Sequence, residues 1–265
     1  MSWSISTLDS NLSQATWESF ANHLVPAWMM VGALVICLSY SLVHISFQKY
    51  NKTYRESLNE AQQLVVVQHT IEAIFLSFLF GPASYLILSL NFEEQSLEIF
   101  ANKATAMGCV MFTVMFMYLV ELAARFQSLR PLVVVHHFSA CIGGTYLGFC
   151  LTTANIKVSS LLVYFITFEA ITFVGLVMYR LCPRNRWTRP IIMAGIIIFG
   201  GSRPLQLVWI VGSLAAAWDD LVAWQALCQI ILAVIFTGIQ VFSLKIHISL
   251  YKKCGSLQNN DTELI

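Results

Sequence analysis

Two adjacent histidines, His136 and His137, stand inside an otherwise apolar run. Ionisable side chains are costly in a membrane span and usually face a cavity or a partner. A histidine, with an ordinary pKa of about 6.5, can deprotonate a hydroxyl or an amine, or can carry an acyl group. The pair is therefore the first candidate for a catalytic site, and binding of a lipid headgroup is its other use.

The spacing of this pair does not favour metal chemistry. Adjacent side chains on a helix point about 100° apart, whereas helical metal sites use i,i+4 histidines. The chain has six histidines and no H-x-x-x-H box, which excludes the di-iron membrane hydroxylases and desaturases. We therefore predict no metal site.

Further ionisable residues lie inside or at the ends of other apolar runs. They are His69, Glu72, Glu121, Arg125, Glu169 and Arg203. We predict that they surround a polar chamber that opens toward the cytosol, with the histidine pair on its wall; a purely structural network is the alternative. In this chamber Glu169 would orient the active imidazole, and Arg203 would meet a phosphate or carboxylate. The other four residues are predicted to contact substrate.

Seven apolar stretches are long enough to cross a bilayer, which takes about 20 helical residues. They run over 26–47, 64–90, 103–124, 132–151, 158–180, 190–214 and 222–247. The composition agrees, because 57% of residues are hydrophobic and 11% are charged. The fold class is therefore an all-α polytopic membrane protein. We expect no nucleic-acid partner, because the net charge of +1 says nothing about one and no basic stripe suggests one.

Charged residues alternate between the loops. Lys and Arg concentrate in 48–63, 124–131, 180–190 and the tail, whereas acidic residues concentrate in the N-terminal segment, 91–102 and 215–221. The positive-inside rule then predicts a lumenal or extracellular N-terminus and a cytosolic C-terminus. On this topology Asn11 is a glycosylation site in a eukaryotic host.

Several segments together resemble the TLC family, named for translocation-associated, longevity-assurance and ceroid-lipofuscinosis proteins. They are Glu121–Arg125 with Leu129–Pro131 and the histidine pair, Phe168–Phe173, Phe199–Leu205, and the stretch from Tyr54 to Gln68. The resemblance covers roughly residues 50–250. It implies six helices around a lipid-accessible cavity, preceded by one extra helix at 26–47. The segments 1–25 and 251–265 would then be a lumenal N-terminus and a cytosolic tail.

The resemblance also implies a class of function. In the ceramide synthase branch the histidine pair transfers an acyl group from coenzyme A, and a His-Asp pair follows further along the chain. The corresponding stretch here, 163–166, has neither residue, so the chain resembles the shorter members of the family instead. The expected function is lipid modification or lipid handling in the endoplasmic reticulum. Acyl-coenzyme A is the expected co-substrate, membrane lipids are the partners, and no cofactor is bound.

Two other functions remain as alternatives. The same chamber would serve a non-enzymatic lipid binder, sensor or trafficking factor. Seven helices also suit a receptor or a retinal protein, but the D-R-Y and N-P-x-x-Y signatures are absent, and Lys245 lies at the end of the last helix rather than deep within it.

Overall fold

The structure is a computed structural model. It describes residues 25–92, 96–126, 129, 131–149, 153–216, 218 and 223–262. These residues form helices and no strand, which confirms the all-α prediction. The helices are α1 Val25–Tyr50, α2 Lys52–Ser57, α3 Glu60–Phe92, α4 Leu97–Arg125, α5 Pro131–Phe149, α6 Thr153–Thr167, α7 Ala170–Leu181, α8 Thr188–Ala216 and α9 Ala223–Thr262.

Six helical stretches in the described part of the chain are long and apolar enough to cross a membrane. They are Met30–Tyr50, Glu60–Asn91, Asn102–Arg125, Ser160–Leu181, Thr188–Gly212 and Ala226–Leu257. Each overlaps one of the predicted stretches. The remaining prediction, 132–151, corresponds to α5, which has 19 residues and is not among these six. The chain therefore has the helices of an integral membrane protein.

Local sequence explains where several helices begin. Asn51 caps α2 by accepting a hydrogen bond from the Tyr54 amide at 2.9 Å, and Ser96 caps α4 in the same way through the Ile99 amide. Pro131 starts α5, a position where its missing N–H costs nothing. This start places the histidine pair in the second turn of α5.

The long helices pack in a closed order. Helix α3 contacts α4, α4 contacts α5, and α5 contacts α9. Helix α9 then contacts α8, α8 contacts α7, and α7 contacts α3, which closes the ring. Helix α6 is joined to α7 by a two-residue turn and contacts α3, α4, α5 and α8. Helix α1 lies outside this ring against α3 and α4. The ring encloses the polar side chains of interest.

The predicted fifth span is interrupted. Turn residues Phe168 and Glu169 separate α6 from α7, with the Glu169 amide bonded to the Ile166 carbonyl at 2.9 Å. No Pro or Gly marks this break in the sequence. The predicted stretch 158–180 is therefore interrupted at its centre, at the residue predicted to act in the site, although Ser160–Leu181 is long and apolar enough to cross a membrane.

The last helix is longer than predicted. Helix α9 runs on to Thr262, because its end is packed against the loop before α8. Cys254 is fully buried, with its thiol 3.2 Å from the Pro183 carbonyl, and the Arg189 guanidinium lies 4.7 Å from the centre of the Tyr251 ring. Residues 251–262 are thus helical. The predicted site Asn11 lies outside the described residues.

Candidate functional site

A cavity lies between α4, α5, α6, α8 and α9. It contains about 1080 Å³ of space free of protein atoms, including the space at its opening. Most of its lining is apolar. The polar lining residues are Tyr118, His136, Glu169, Arg203, Gln206, Gln229, Thr237 and Gln240. Its walls therefore suit a largely hydrocarbon occupant.

The cavity has a direction. On α9 the lining residues run from Gln229 to Gln240, roughly 16 Å at the helical rise. Six of the polar residues gather around the Gln240 end, namely Tyr118, His136, Glu169, Arg203, Gln206 and Gln240 itself. Apolar residues such as Met111, Leu162 and Ile210 line the cavity away from this end. The cavity is thus an elongated slot with most of its polar residues at one end, which we call the polar end, and with Gln229 at the other.

An ion pair forms one side of the polar end. The Arg203 Nη2 donates to the Glu169 carboxylate, and its Nη1 donates to the Gln206 side-chain oxygen at 2.8 Å. Gln240 donates to the same Gln206 oxygen at 3.2 Å. The guanidinium also lies over the Phe199 ring, 4.4 Å from its centre. Arg203 is therefore already neutralised and held in place by its neighbours.

His136 forms the facing side of the polar end. Its ring centre lies 5.5 Å from that of Tyr118 and 6.0 Å from that of Phe236, and it lines the cavity. Its Nδ1 is buried and has no hydrogen-bond partner among the described residues. Nε2 is thus the nitrogen left to meet a molecule in the slot.

His137 faces a different environment from its neighbour. It is 4% exposed, and its Nε2 lies 2.7 Å from the Glu121 carboxylate. The same carboxylate accepts a hydrogen bond from Arg125. The His137 ring stacks on Tyr118 with centres 4.5 Å apart. None of His137, Glu121 and Arg125 lines the cavity.

A second buried acid lies on the adjacent helix α3. Glu72 is 1% exposed; it accepts a hydrogen bond from Gln68 at 2.8 Å and contacts His69 Nδ1 at 2.9 Å. Gln68 in turn accepts from Tyr40 of α1 at 2.8 Å, and His69 stacks on Phe173 of α7. These contacts join three helices around the carboxylate. We call His69, Glu72, Glu121, Arg125 and His137 the buried network.

The predicted single chamber is therefore two regions. His136, Glu169 and Arg203 line the slot, whereas the buried network lies behind Tyr118. Glu169, which was expected to orient an imidazole, bonds Arg203, and Glu121 takes the contact with His137. The rotation of α5 about its axis decides which carboxylate meets a histidine, since adjacent histidines must face different sides of this helix.

Three residues of the polar end were missed by sequence reasoning. Tyr118, Gln206 and Gln240 are uncharged, so a search for ionisable groups passes over them. The available signal was spacing: Arg203 and Gln206 are i,i+3 on one helix face. A tyrosine inside an apolar run carries no comparable signal, because it is also common in packed cores.

The described residues contain no group of three or more His, Cys, Asp or Glu side chains placed to hold a metal ion. Lys245, the lysine that a retinal protein would need, is exposed on α9 and does not line the slot. Comparisons with protein-family models, curated proteins and solved structures found no match to this chain.

Proposed function

We propose that this protein handles lipids within the membrane and that its slot holds one hydrocarbon chain with the polar end at His136. The reaction that this site supports best is acyl transfer to a lipid acceptor. One observation carries the proposal: an imidazole stands at the polar end of an otherwise apolar slot inside a helical membrane protein. An apolar slot favours hydrocarbon, and a basic nitrogen at its end favours chemistry there.

The proposed reaction needs only the proton-carrying capacity of His136. The imidazole takes the proton from an acceptor hydroxyl or amine, whose oxygen or nitrogen then bonds to the carbonyl carbon of an acyl thioester or ester. The bond from this carbon to the leaving group breaks, and the leaving group receives the proton from the imidazolium. Acyl-coenzyme A is the thioester suggested by the family resemblance.

A second candidate is non-enzymatic lipid binding, and one observation favours it. Catalytic histidines are usually oriented by a third group that bonds the other ring nitrogen. The Nδ1 of His136 has no such partner among the described residues. Without it, the imidazole serves equally as a polar contact for a resident lipid.

Occupancy of the slot by lipid is tested with two adjacent positions on α9. Ala233 lines the slot, whereas Val234 is 68% exposed on the outer surface. We expect Ala233→Phe to lose the co-purifying lipid seen by native mass spectrometry, and Val234→Phe to keep it. Equal lipid content in the wild type and both variants would overturn the proposed binding site.

Turnover separates the two candidate functions. If acyl transfer is correct, His136→Ala abolishes transfer from an acyl thioester to a lipid alcohol or amine, while lipid still binds in the slot with lower affinity. If the protein only binds lipid, wild type and variant show no transfer and carry an intact, unmodified lipid.

We further propose that the helices form a seven-span TLC-type arrangement in the endoplasmic reticulum membrane, with the N-terminus lumenal. The loop charges and the resemblance support this topology. Glycosylation of Asn11, read as a gel shift reversed by endoglycosidase, would establish the lumenal side; reactivity of an engineered cysteine at residue 11 with a cytosolic, membrane-impermeant reagent would refute it.

A further inference from the structure

The polar end of the slot contains two opposite charges that cancel each other. Arg203 donates to Glu169 and to Gln206, and its Nε is buried without a hydrogen-bond partner among the described residues. A charged ligand would therefore lose its hydration without gaining an uncompensated counter-charge. This arrangement does not match a phosphate or a carboxylate, which Arg203 was expected to bind.

Besides His136 and Gln240, this end of the slot offers two uncharged donors and one acceptor oxygen. The Tyr118 hydroxyl and the Gln206 side-chain NH₂ group have no hydrogen-bond partner among the described residues, and both residues line the slot. The Gln206 oxygen already accepts from Arg203 and Gln240, which fixes its NH₂ group as the free end. Only one oxygen of Glu169 has a described partner, so the other is available to accept from a hydroxyl.

Tyr118 is held in place for this role by its ring. It stacks on His137, 17° from parallel, and packs with Leu76, Val114 and Met117. Tyr118 also lines the slot together with Glu169 and Arg203, whereas the buried network does not.

We propose that the slot selects lipids whose enclosed polar group is uncharged, such as an ester, an amide or an alcohol, and that Tyr118 and Gln206 are the residues that bind it. The inference rests on the proposed lipid-handling function and names the ligand class for the same slot. The Glu169–Arg203 pair then acts as a neutral, fixed wall that rejects both anions and cations.

The test uses the full-length, delipidated protein in detergent at pH 8 and five probes of one chain length. They are a fatty alcohol, its methyl ester, the carboxylate, the alkyl phosphate and the alkylammonium. We expect native mass spectrometry to show the alcohol and the ester binding at least about tenfold more tightly than each ion, since burying an unpaired charge is costly. Equal or tighter binding of any ion by the wild type would overturn the inference.

Charge-removing variants give the sharper result. Glu169→Gln leaves Arg203 unneutralised, and we expect it to shift the preference toward the phosphate and the carboxylate. Arg203→Gln leaves Glu169 unneutralised and should shift the preference toward the alkylammonium, while the double variant should again prefer the uncharged probes. An unchanged ranking in both folded single variants would refute the role of the pair.

Tyr118→Phe keeps the stacked ring and removes only the donor, so it tests the contact even if a charge variant fails to fold. We expect methyl ester binding to weaken about fivefold, the usual size of one hydrogen bond. Unchanged affinity would remove Tyr118 from the proposal. If the wild type binds none of the five probes, the lipid-handling function itself is wrong, which is distinct from a wrong ranking among bound probes.

Discussion

The two neighbouring histidines divide the interior of this protein into a slot and a buried network. His136 faces the slot, with one ring nitrogen unpartnered among the described residues, while His137 is bonded to Glu121 and stacked on Tyr118. One region has room for a ligand, and the other is filled with protein contacts. An ionisable residue inside a membrane span is thus not in itself a sign of catalysis, because its surroundings decide its role.

The largest expected effect is loss of stability on removing Glu121. Glu121→Ala leaves the Arg125 and His137 side chains without their shared carboxylate in a buried setting. Breaking such a buried pair typically costs about 3–5 kcal/mol in the free energy of unfolding. Unfolding in mixed detergent and SDS micelles would measure this loss.

A matched control for Glu121 exists at the membrane surface. Glu56 contacts Lys52 and Arg55, but its side chain is 48% exposed. We expect Glu56→Ala to change the free energy of unfolding by less than about 1 kcal/mol. Similar losses for the two variants would contradict the contrast between buried and solvent-facing charges.

The next largest expected effect is a difference in stability between the His137 and His136 variants. His137→Ala leaves one Glu121 oxygen without its partner and should cost about 1–3 kcal/mol of stability. His136→Ala removes no described hydrogen bond and should cost less, while it changes ligand binding more. We therefore expect His137→Ala to lose more stability and His136→Ala to lose more affinity for the methyl ester. If one variant lost more in both measurements, the slot and the buried network would not be distinct regions.

The smallest effect concerns Tyr54, which packs on Val66 and Ile71 of the helix that carries Glu72. Burial raises the pKa of Tyr54 from 10.0 to about 12. The folded state therefore keeps the proton where the unfolded chain loses it. Stability from this residue is present below pH 10 and is lost as pH rises toward 12.

Replacement by phenylalanine provides the control for this pH effect. Tyr54→Phe should remove that part of the alkaline destabilisation, whereas Tyr50→Phe, at a side chain that is 77% exposed, should leave it unchanged. Identical alkaline unfolding curves for the wild type and Tyr54→Phe would show that burial of this hydroxyl does not matter.

Sequence reasoning was most reliable for helices and for the ionisable residues. Long apolar runs predicted the helical class, and each polar residue singled out within a run proved at least partly buried. These features depend on local composition and on the cost of charge in lipid.

The partners of those residues could not be predicted, for physical reasons. Whether Glu121 or Glu169 meets a histidine depends on how α4, α6 and α5 rotate against each other, which no local pattern encodes. The break at Phe168–Glu169 likewise has no local signal, because neither residue is a helix-breaking Pro or Gly. The extension of α9 depends on the burial of Cys254 against a distant loop.

The central claim is that His136 alone of the pair meets the contents of the slot. Diethyl pyrocarbonate, a small reagent that acylates accessible imidazole nitrogens, tests it directly when modified sites are mapped by mass spectrometry on the folded protein. We predict fast modification of His136, protection of His136 by saturating fatty methyl ester, and slow modification of His137 with or without the ester. Faster modification of His137, or no protection of His136 by the ester, would contradict the account.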